Sequence, residues 1–416
     1  MNKSHFPFSL LNLTICIVCF SFLFASCDEL DTGEDSSGPA ERIVLTKSQQ
    51  EVAAKGNDFA VSLLKESFRQ NGASDLFLSP MSVTMLSSMI ANGAEGETYA
   101  EIVKTLGMES FSLDQVNDYY AKMTGALGKA DPSSAFSLAN SIWAAKDLPL
   151  KKNFKTNIDK TFDADAYTVD FSSQSTLKKV NDWCSAKTSG MIPKMLDELS
   201  PLTQVLLINA LYFRGAWEIP FPKANTKTDS FTTLTGAKTD MPFMNMNAGL
   251  ACHQDEAVSV VRMPYGNGAF EMDAIVPSGD FAAFMASLDM EKITAWLIPT
   301  HNSVQLKFPK FTADYDTGEQ LPAIMKTLGM NRVFSKDFAE LGGISEKPLY
   351  VSNMRQKARV EVDEEGTRAA AVTLAEMRAT SIGHQEPAVM NFDRPFLYLI
   401  RENSTGAILF MGTKVK

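Results

Sequence analysis

The stretch from Ala358 to Glu376 limits the folds open to this chain more than any other. Ala358, Val360 and Val362 alternate with Arg359, Glu361 and Asp363, the period of a β-strand with one buried face. Glu364, Glu365 and Gly366 should end that strand in a turn. Alternation then resumes. Thr367, Ala369, Ala371, Thr373 and Ala375 form one set, all small; Arg368, Ala370, Val372, Leu374 and Glu376 form the other. A permanently exposed loop has no use for a period of two. A segment that must enter a packed sheet needs small inward side chains, because the interior is already close-packed. The same residues are good helix formers, so an Ala-rich helix or a long surface loop is the competing reading.

The context downstream separates these readings. Met390-Asn391-Phe392-Asp393-Arg394-Pro395-Phe396-Leu397-Tyr398-Leu399-Ile400, with Phe410-Met411-Gly412 near the end, resembles the signature of the serpin family. Glu365-Gly366-Thr367-Arg368-Ala369-Ala370-Ala371 resembles the hinge of its inhibitory members. The resemblance implies an α+β fold: a single domain with a large central mixed β-sheet, further sheets, about nine helices and an exposed reactive-centre loop. That loop is offered to a protease and becomes a sheet strand once cut.

Length and charge agree with this class. The 416 residues are 45% hydrophobic, ample for a large core, and the net charge of −10 comes with dispersed basic residues. No nucleic-acid footprint is present. The N-terminus carries Lys3, an apolar stretch from Phe6 to Phe24 broken by Ser9, Asn12 and Thr14, then Phe24-Ala25-Ser26-Cys27. This reads as a secretory signal, and Cys27 resembles the lipidated cysteine of a bacterial lipoprotein; an ordinary signal peptide cut nearby is the alternative. Residues 28–40, acidic and rich in Ser and Gly, form a tether. The expected organisation is a lipoprotein signal peptide (1–26), a flexible tether (27–40) and one domain (41–416), held at the cell envelope or surface, or else secreted. Cys16 and Cys19 lie inside the signal, so no metal or redox role is expected there. Cys184 and Cys252 could form one disulfide, which spacing does not decide.

Along the domain, Ser48-Gln49-Gln50-Glu51 predicts a capping box, and Val52, Phe59, Ala60, Leu63, Leu64 and Phe68 one helical face. Leu76-Phe77-Leu78 predicts a buried strand, and Ser79-Pro80 a helix start. A helix is expected from Tyr99 to Leu106 and a strand over Ser137–Ala145. Val205 to Trp217 is a near-continuous apolar run, as in a strand buried on both faces. Asn209 within it must find partners. Val258–Pro264 and Ala269–Val276 predict a hairpin turning at Gly266-Asn267-Gly268.

The resemblance assigns roles to some of these residues. Ser79 and Ser82 would lie under the main sheet where its central strands part; Asn209 would belong to a hydrogen-bonded latch, and Trp217 would stand where the loop first inserts. Helix capping explains the serines, and core packing Trp217, equally well. Lys310 would pair with Glu364 at the base of the loop. One departure stands out: Gln356 occupies the latch position where the family usually has histidine. Its amide both donates and accepts, so it can still serve in a latch.

Enzyme motifs are missing. The chain after Cys27 keeps only His253, His301 and His384, with no G-x-S-x-G elbow, H-E-x-x-H or P-loop. No cofactor or metal is expected, and the chain reads as a monomer that is not itself an enzyme. The resemblance implies instead suicide inhibition of serine, or also cysteine, proteases, through an acyl-enzyme trapped when the cut loop inserts. The alternative is a non-inhibitory binding or structural relative; the small Thr367 and the lack of proline through Val372 favour inhibition. Family spacing from Gly366 places the cut between Thr380 and Ser381, with Arg378-Ala379 as runner-up, although Arg378 also reads as a solvated loop charge.

Overall fold

The structure is a computed structural model describing residues 40–72, 74–366 and 386–416, all within the unit Ser37–Lys416. Helix α1 (Lys47–Asn71) is capped by Thr46, whose hydroxyl accepts from the Gln49 amide while the Gln49 side chain accepts from Thr46 N. The capping box thus sits two residues before the expected Ser48–Glu51. Thr46 holds the extended backbone a cap requires, and Ser48 is already helical. Strand β1 (Leu76–Leu78) is wholly buried, and Ser79 and Pro80 open α2 (Pro80–Ala91) as expected, the Ser79 hydroxyl accepting from Ser82 N. Every residue of α2 is buried, so this helix runs inside the molecule. Helix α3 (Gly96–Thr105) starts three residues before the expected Tyr99. Helix α4 (Leu113–Leu127) follows.

Then come β2 (Ala135–Ala145), α5 (Lys152–Phe162), β3 (Ala164–Val169), α6 (Gln174–Lys187) and β4 (Val205–Arg214). Strands β5 (Lys227–Thr232), β6 (Lys238–Ala248) and β7 (Cys252–Gln254) precede the expected hairpin of β8 (Val258–Tyr265) and β9 (Phe270–Pro277). The chain continues through α7 (Phe281–Ser287), α8 (Met290–Trp296), β10 (Val304–Pro309), β11 (Phe311–Asp316) and α9 (Gln320–Leu328). It closes with β12 (Asn353–Val362), β13 (Ala388–Asn391), β14 (Phe396–Glu402) and β15 (Ile408–Lys414).

Among the described residues nine α-helices surround three sheets, an α+β fold. The central sheet has the order β11-β12-β4-β2-β3 and is mixed: β12 runs parallel to β4, and β2 parallel to β3. A six-stranded antiparallel sheet (β1-β15-β14-β9-β8-β7) and a four-stranded sheet (β13-β10-β6-β5) complete it. The central sheet is covered on both faces, which is why β4 is buried at every position but Arg214. One cover belongs to the main core, with α2 in it. The other is a second apolar cluster in which Val180, Trp183 and Cys184 of α6, with Ile192, Met195 and Leu196, pack on Leu206, Ile208 and Ala210 of β4. Cys184 and Cys252 are both buried free thiols. Burial pushes Cys184 up to about 12.

Candidate functional site in the seam of the central sheet

Strands β12 and β4 meet in parallel at the centre of the main sheet. Their register runs from Asn353 opposite Leu206 to Arg359 opposite Tyr212, and there it stops. Beyond it, Val360–Val362 stay registered with β11 (Val362 opposite Phe311), while Phe213 and Arg214 stay with β2. The two central strands therefore part at one end. β12 alternates buried and half-exposed side chains without a break, as its period of two requires.

The hinge turn stands over this opening. Trp217, 5% exposed, stacks on Tyr265 with 4.3 Å between ring centroids and 16° between planes. Its indole Nε1 donates to the Asp363 carbonyl at 2.9 Å, and its backbone N–H donates to the Glu365 carbonyl at 3.0 Å. Phe221 N donates to the Glu364 carbonyl at 2.8 Å. Gly366 bridges to Ala216 with φ of 130°, and a Cβ there would stand 2.3 Å from the Gly215 oxygen, so only glycine fits. The Glu364 carboxylate accepts from Lys310 Nζ at 2.7 Å and from Thr226 Oγ1 at 2.8 Å; the neighbouring Glu365 pairs with Lys223. Burial pushes the Glu364 carboxyl up, but the bonds from Lys310 and Thr226 outweigh it and hold the group below its ordinary range.

Lower in the seam lies a buried polar row. Gln356 stands opposite Asn209, and Asn209 opposite Asn140. The Gln356 side chain accepts from Ser79 N at 2.8 Å and donates to Ser79 O at 2.9 Å, while Gln356 N donates to the Thr317 hydroxyl at 2.9 Å. Asn209 Nδ2 donates to Asn140 Oδ1 at 2.9 Å and to the Ala139 carbonyl at 3.2 Å. The two amides that face each other across the seam are thus each tied to their own bank. Gln356 ties β12 to the start of α2 and to the residue after β11; Asn209 ties β4 to β2. Ser82, buried beneath, has no partner for its hydroxyl among the described residues.

The path of the chain fixes what can happen here. β12 leads into the turn at 363–366, so any strand formed by the residues after it runs antiparallel to β12. Because β4 is parallel to β12, that strand would be antiparallel to β4 as well. Were this parallel ladder to open from its parted end, one further strand there would match both neighbours.

A family model described as "Serpin (serine protease inhibitor)" matches residues 54–416. The chain belongs to the serpin family. Mouse alpha-1-antitrypsin 1-1 is 29% identical over 418 residues, covering 98% of this chain and 97% of that protein. Bovine Serpin B8 is 30% identical over 367 residues, covering 85% and 96%. Among solved structures, the native state of the thermophilic serpin tengpin matches with a TM-score of 0.82 at 28% identity, over 91% of this chain and 97% of its own. Human thyroxine-binding globulin matches at 0.81 with 23% identity, over 89% and 99%, and shares the fold.

Of the residues expected to form the hinge, the described ones, Glu364 and Gly366, sit together with Trp217 and Lys310 at the parted end. Ser79, Gln356 and Asn209 gather lower down. Thr367, Ala369, Ala370 and Ala371, both candidate bonds (Thr380-Ser381 and Arg378-Ala379), His384 and Cys27 lie outside the described residues. His253 contacts the Ile298 carbonyl and Asp255, and His301 contacts Thr300, all away from the seam. Four contributors had no place in the sequence reading. Asn140 carries the same signal as Asn209, an amide inside an apolar strand. Thr226, Thr317 and Tyr265 carry none.

Proposed function

We propose that this serpin is a suicide-substrate inhibitor of serine endopeptidases, with cysteine endopeptidases as a second class, and not an enzyme. The observation that carries the reading is the parallel β12–β4 seam, parted under a glycine-bearing hinge. A protease nucleophile adds to the Thr380 carbonyl; the C–N bond to Ser381 breaks, and the Ser381 amine leaves with the proton. Thr380 stays esterified to the protease. The freed segment then enters the seam. With Asp363–Gly366 as the turn, Val362 faces Thr367, Val360 faces Ala369, Ala358 faces Ala371, and Gln356 faces Thr373. The buried face of β12 is thereby matched to the small-residue set, which fits without clash. New ladders on both sides replace one, at about 0.5–1.5 kcal/mol per added bond. Insertion also carries the acylated protease away before water completes the hydrolysis. The uncut molecule is then a kinetically held state.

The test is incubation with elastase-like and trypsin-like proteases. A denaturant-resistant complex, with a C-terminal fragment beginning at Ser381, is expected. Thr367→Arg should abolish complex formation while leaving cleavage intact; inhibition that survives this change would falsify the mechanism. The second reading, a binding protein whose loop is cut without trapping, rests on a cavity of about 940 Å³ between α1 and α7, lined by Phe68, Met285 and Leu288 and large enough for a small ligand. It predicts cleavage with no complex and no gain in thermal stability.

We also propose lipid anchoring through Cys27 and residence at the cell envelope. Mass spectrometry of the mature N-terminus should find a diacylated Cys27, and an unmodified cut terminus would refute the anchor.

A further inference from the structure

The ring of His253 makes two contacts that a neutral imidazole cannot make together. Its Nδ1 lies 2.9 Å from the Ile298 carbonyl oxygen, and its Nε2 lies 3.1 Å from Asp255 Oδ2. A carbonyl and an ionised carboxylate only accept. A neutral ring donates from one nitrogen and turns a lone pair outward at the other, so both bonds form at once only when the ring carries two protons. Asp255 is held as the ionised partner. Its Oδ1 accepts from the Ala257 and Val258 amides, both at 2.8 Å. Burial pushes the Asp255 carboxyl up, but the bonds from His253, Val258 and Ala257 outweigh it and hold the group below its ordinary range. Among the described residues, three further charged or titratable groups surround the ring. Arg262 on β8 and Asp273 on β9 line the same small hollow and pair with each other at 3.1 Å. His301 follows in the chain after α8, its Nδ1 2.9 Å from Thr300 Oγ1.

The ring fastens the connection from α8 to β10, residues 297–303, onto the edge strand β7. Arg262 donates to the Leu297 carbonyl at 3.1 Å, and His253 holds the next carbonyl, that of Ile298. The Cys252 carbonyl accepts from Thr300 N at 2.8 Å, and Gln254 N donates to Thr300 Oγ1 at 3.1 Å. Both sides of this junction then reach β13. Ala388 N donates to the Ser303 carbonyl at 3.1 Å, at the end of the connection, and the Gln254 side chain donates to the Val389 carbonyl at 3.3 Å. β13 is four residues long, is the edge of its sheet and pairs there with β10. It is also the first described strand after residues 367–385, so its seating fixes where that stretch ends.

We propose that His253 is a pH-dependent clasp: carrying two protons, it pins the 297–303 connection to β7 and so keeps β13 seated on β10. When the ring gives one proton to water as the pH rises, it keeps one of its two bonds, and β13 opens more often. The stability that the second bond adds is therefore present at low pH and lost as pH rises. The clasp acts on the uncut molecule and holds whether or not that molecule traps proteases.

The experiment uses the uncut full chain at about pH 5.5 and about pH 8.5, on either side of the value of about 6.5 at which a free imidazole changes charge. Amide hydrogen exchange, corrected for the chemical rate, is read in β13 and, as an internal reference, in β14. Protection of β13 should fall roughly ten-fold from the lower to the higher pH, with β14 unchanged. His253→Gln, which cannot take up a second proton, should abolish the response, and His301→Gln should keep it. Imidazole nitrogen NMR of the unaltered chain should show both His253 nitrogens protonated at the lower pH. A ring with a single proton there, equal β13 protection at the two pH values, or a response that survives in His253→Gln overturns the proposal.

Discussion

Replacing Gln356 by alanine tests whether the polar row holds the uncut state together. The side chain is 1% exposed and bridges both backbone groups of Ser79. In Q356A the Ser79 carbonyl keeps its bond from Val83 N, at 3.2 Å, so that side loses an ordinary bond, about 0.5–1.5 kcal/mol. The Ser79 N–H is left buried without an acceptor, at about 1–3 kcal/mol. The sum is about 1.5–4.5 kcal/mol. For a domain of this length that corresponds to a melting temperature about 2–6 °C lower. The assay is calorimetry of the uncut protein at a fixed scan rate, with inhibitory activity followed at 37 °C, where Q356A should decay faster. Gln356→His, which restores one donor and one acceptor, should recover most of the loss at neutral pH and lose it again below about pH 6.5, as the imidazole charges. A Q356A protein melting within about 1 °C of the parent would refute the reasoning.

Other consequences concern the hinge. Glu364, held below its ordinary value of 4.5, contributes stability that is present above that pH and is lost as pH falls through the folded value; a urea series from pH 6 to pH 3 should show a loss of about 1 kcal/mol that Glu364→Gln abolishes. Gly366→Ala drives a Cβ into the Gly215 oxygen, so the turn should leave Ala216, and a glutamate-specific protease should cut after Glu365 several-fold faster than in the parent. Trp217→Phe keeps the stack on Tyr265 but removes the bond to the Asp363 carbonyl; the half-life of inhibitory activity at 37 °C should shorten about two- to ten-fold.

Elements with a strong period were legible in the sequence. The alternation from Ala358 to Val362 and the apolar run from Val205 appear as β12 and β4, and Ser79-Pro80 as the start of α2. Helix α4 was equally legible and has no counterpart in the reading: Ser112–Gln115 is a capping box, and Val116, Tyr119, Tyr120, Met123 and Leu127 repeat at helical spacing. Position 46 against 48 in α1 was not legible, since Ser, the slightly better cap, stands two residues after a Thr that can also cap, and only the backbone chooses. The site was legible as a set of residues and not as a wiring diagram. Gln356 and Asn209 are neighbours across the seam, yet each spends its hydrogen bonds on its own side. Gln356 and Ser79 are 277 residues apart, and nothing in either segment announces the other. Nor does an apolar run declare which strand will lie beside it, so the parallel pairing that makes the seam was invisible.

The position of β14 and β15 has a practical consequence. Both lie in the interior of the six-stranded sheet, and Phe396–Ile400 is buried at every position. A nick anywhere in 367–385 therefore severs the polypeptide without releasing its tail. The clipped molecule should elute from a gel-filtration column as a single particle and come apart into two bands only in hot detergent, so size measured under native conditions is blind to such a cut.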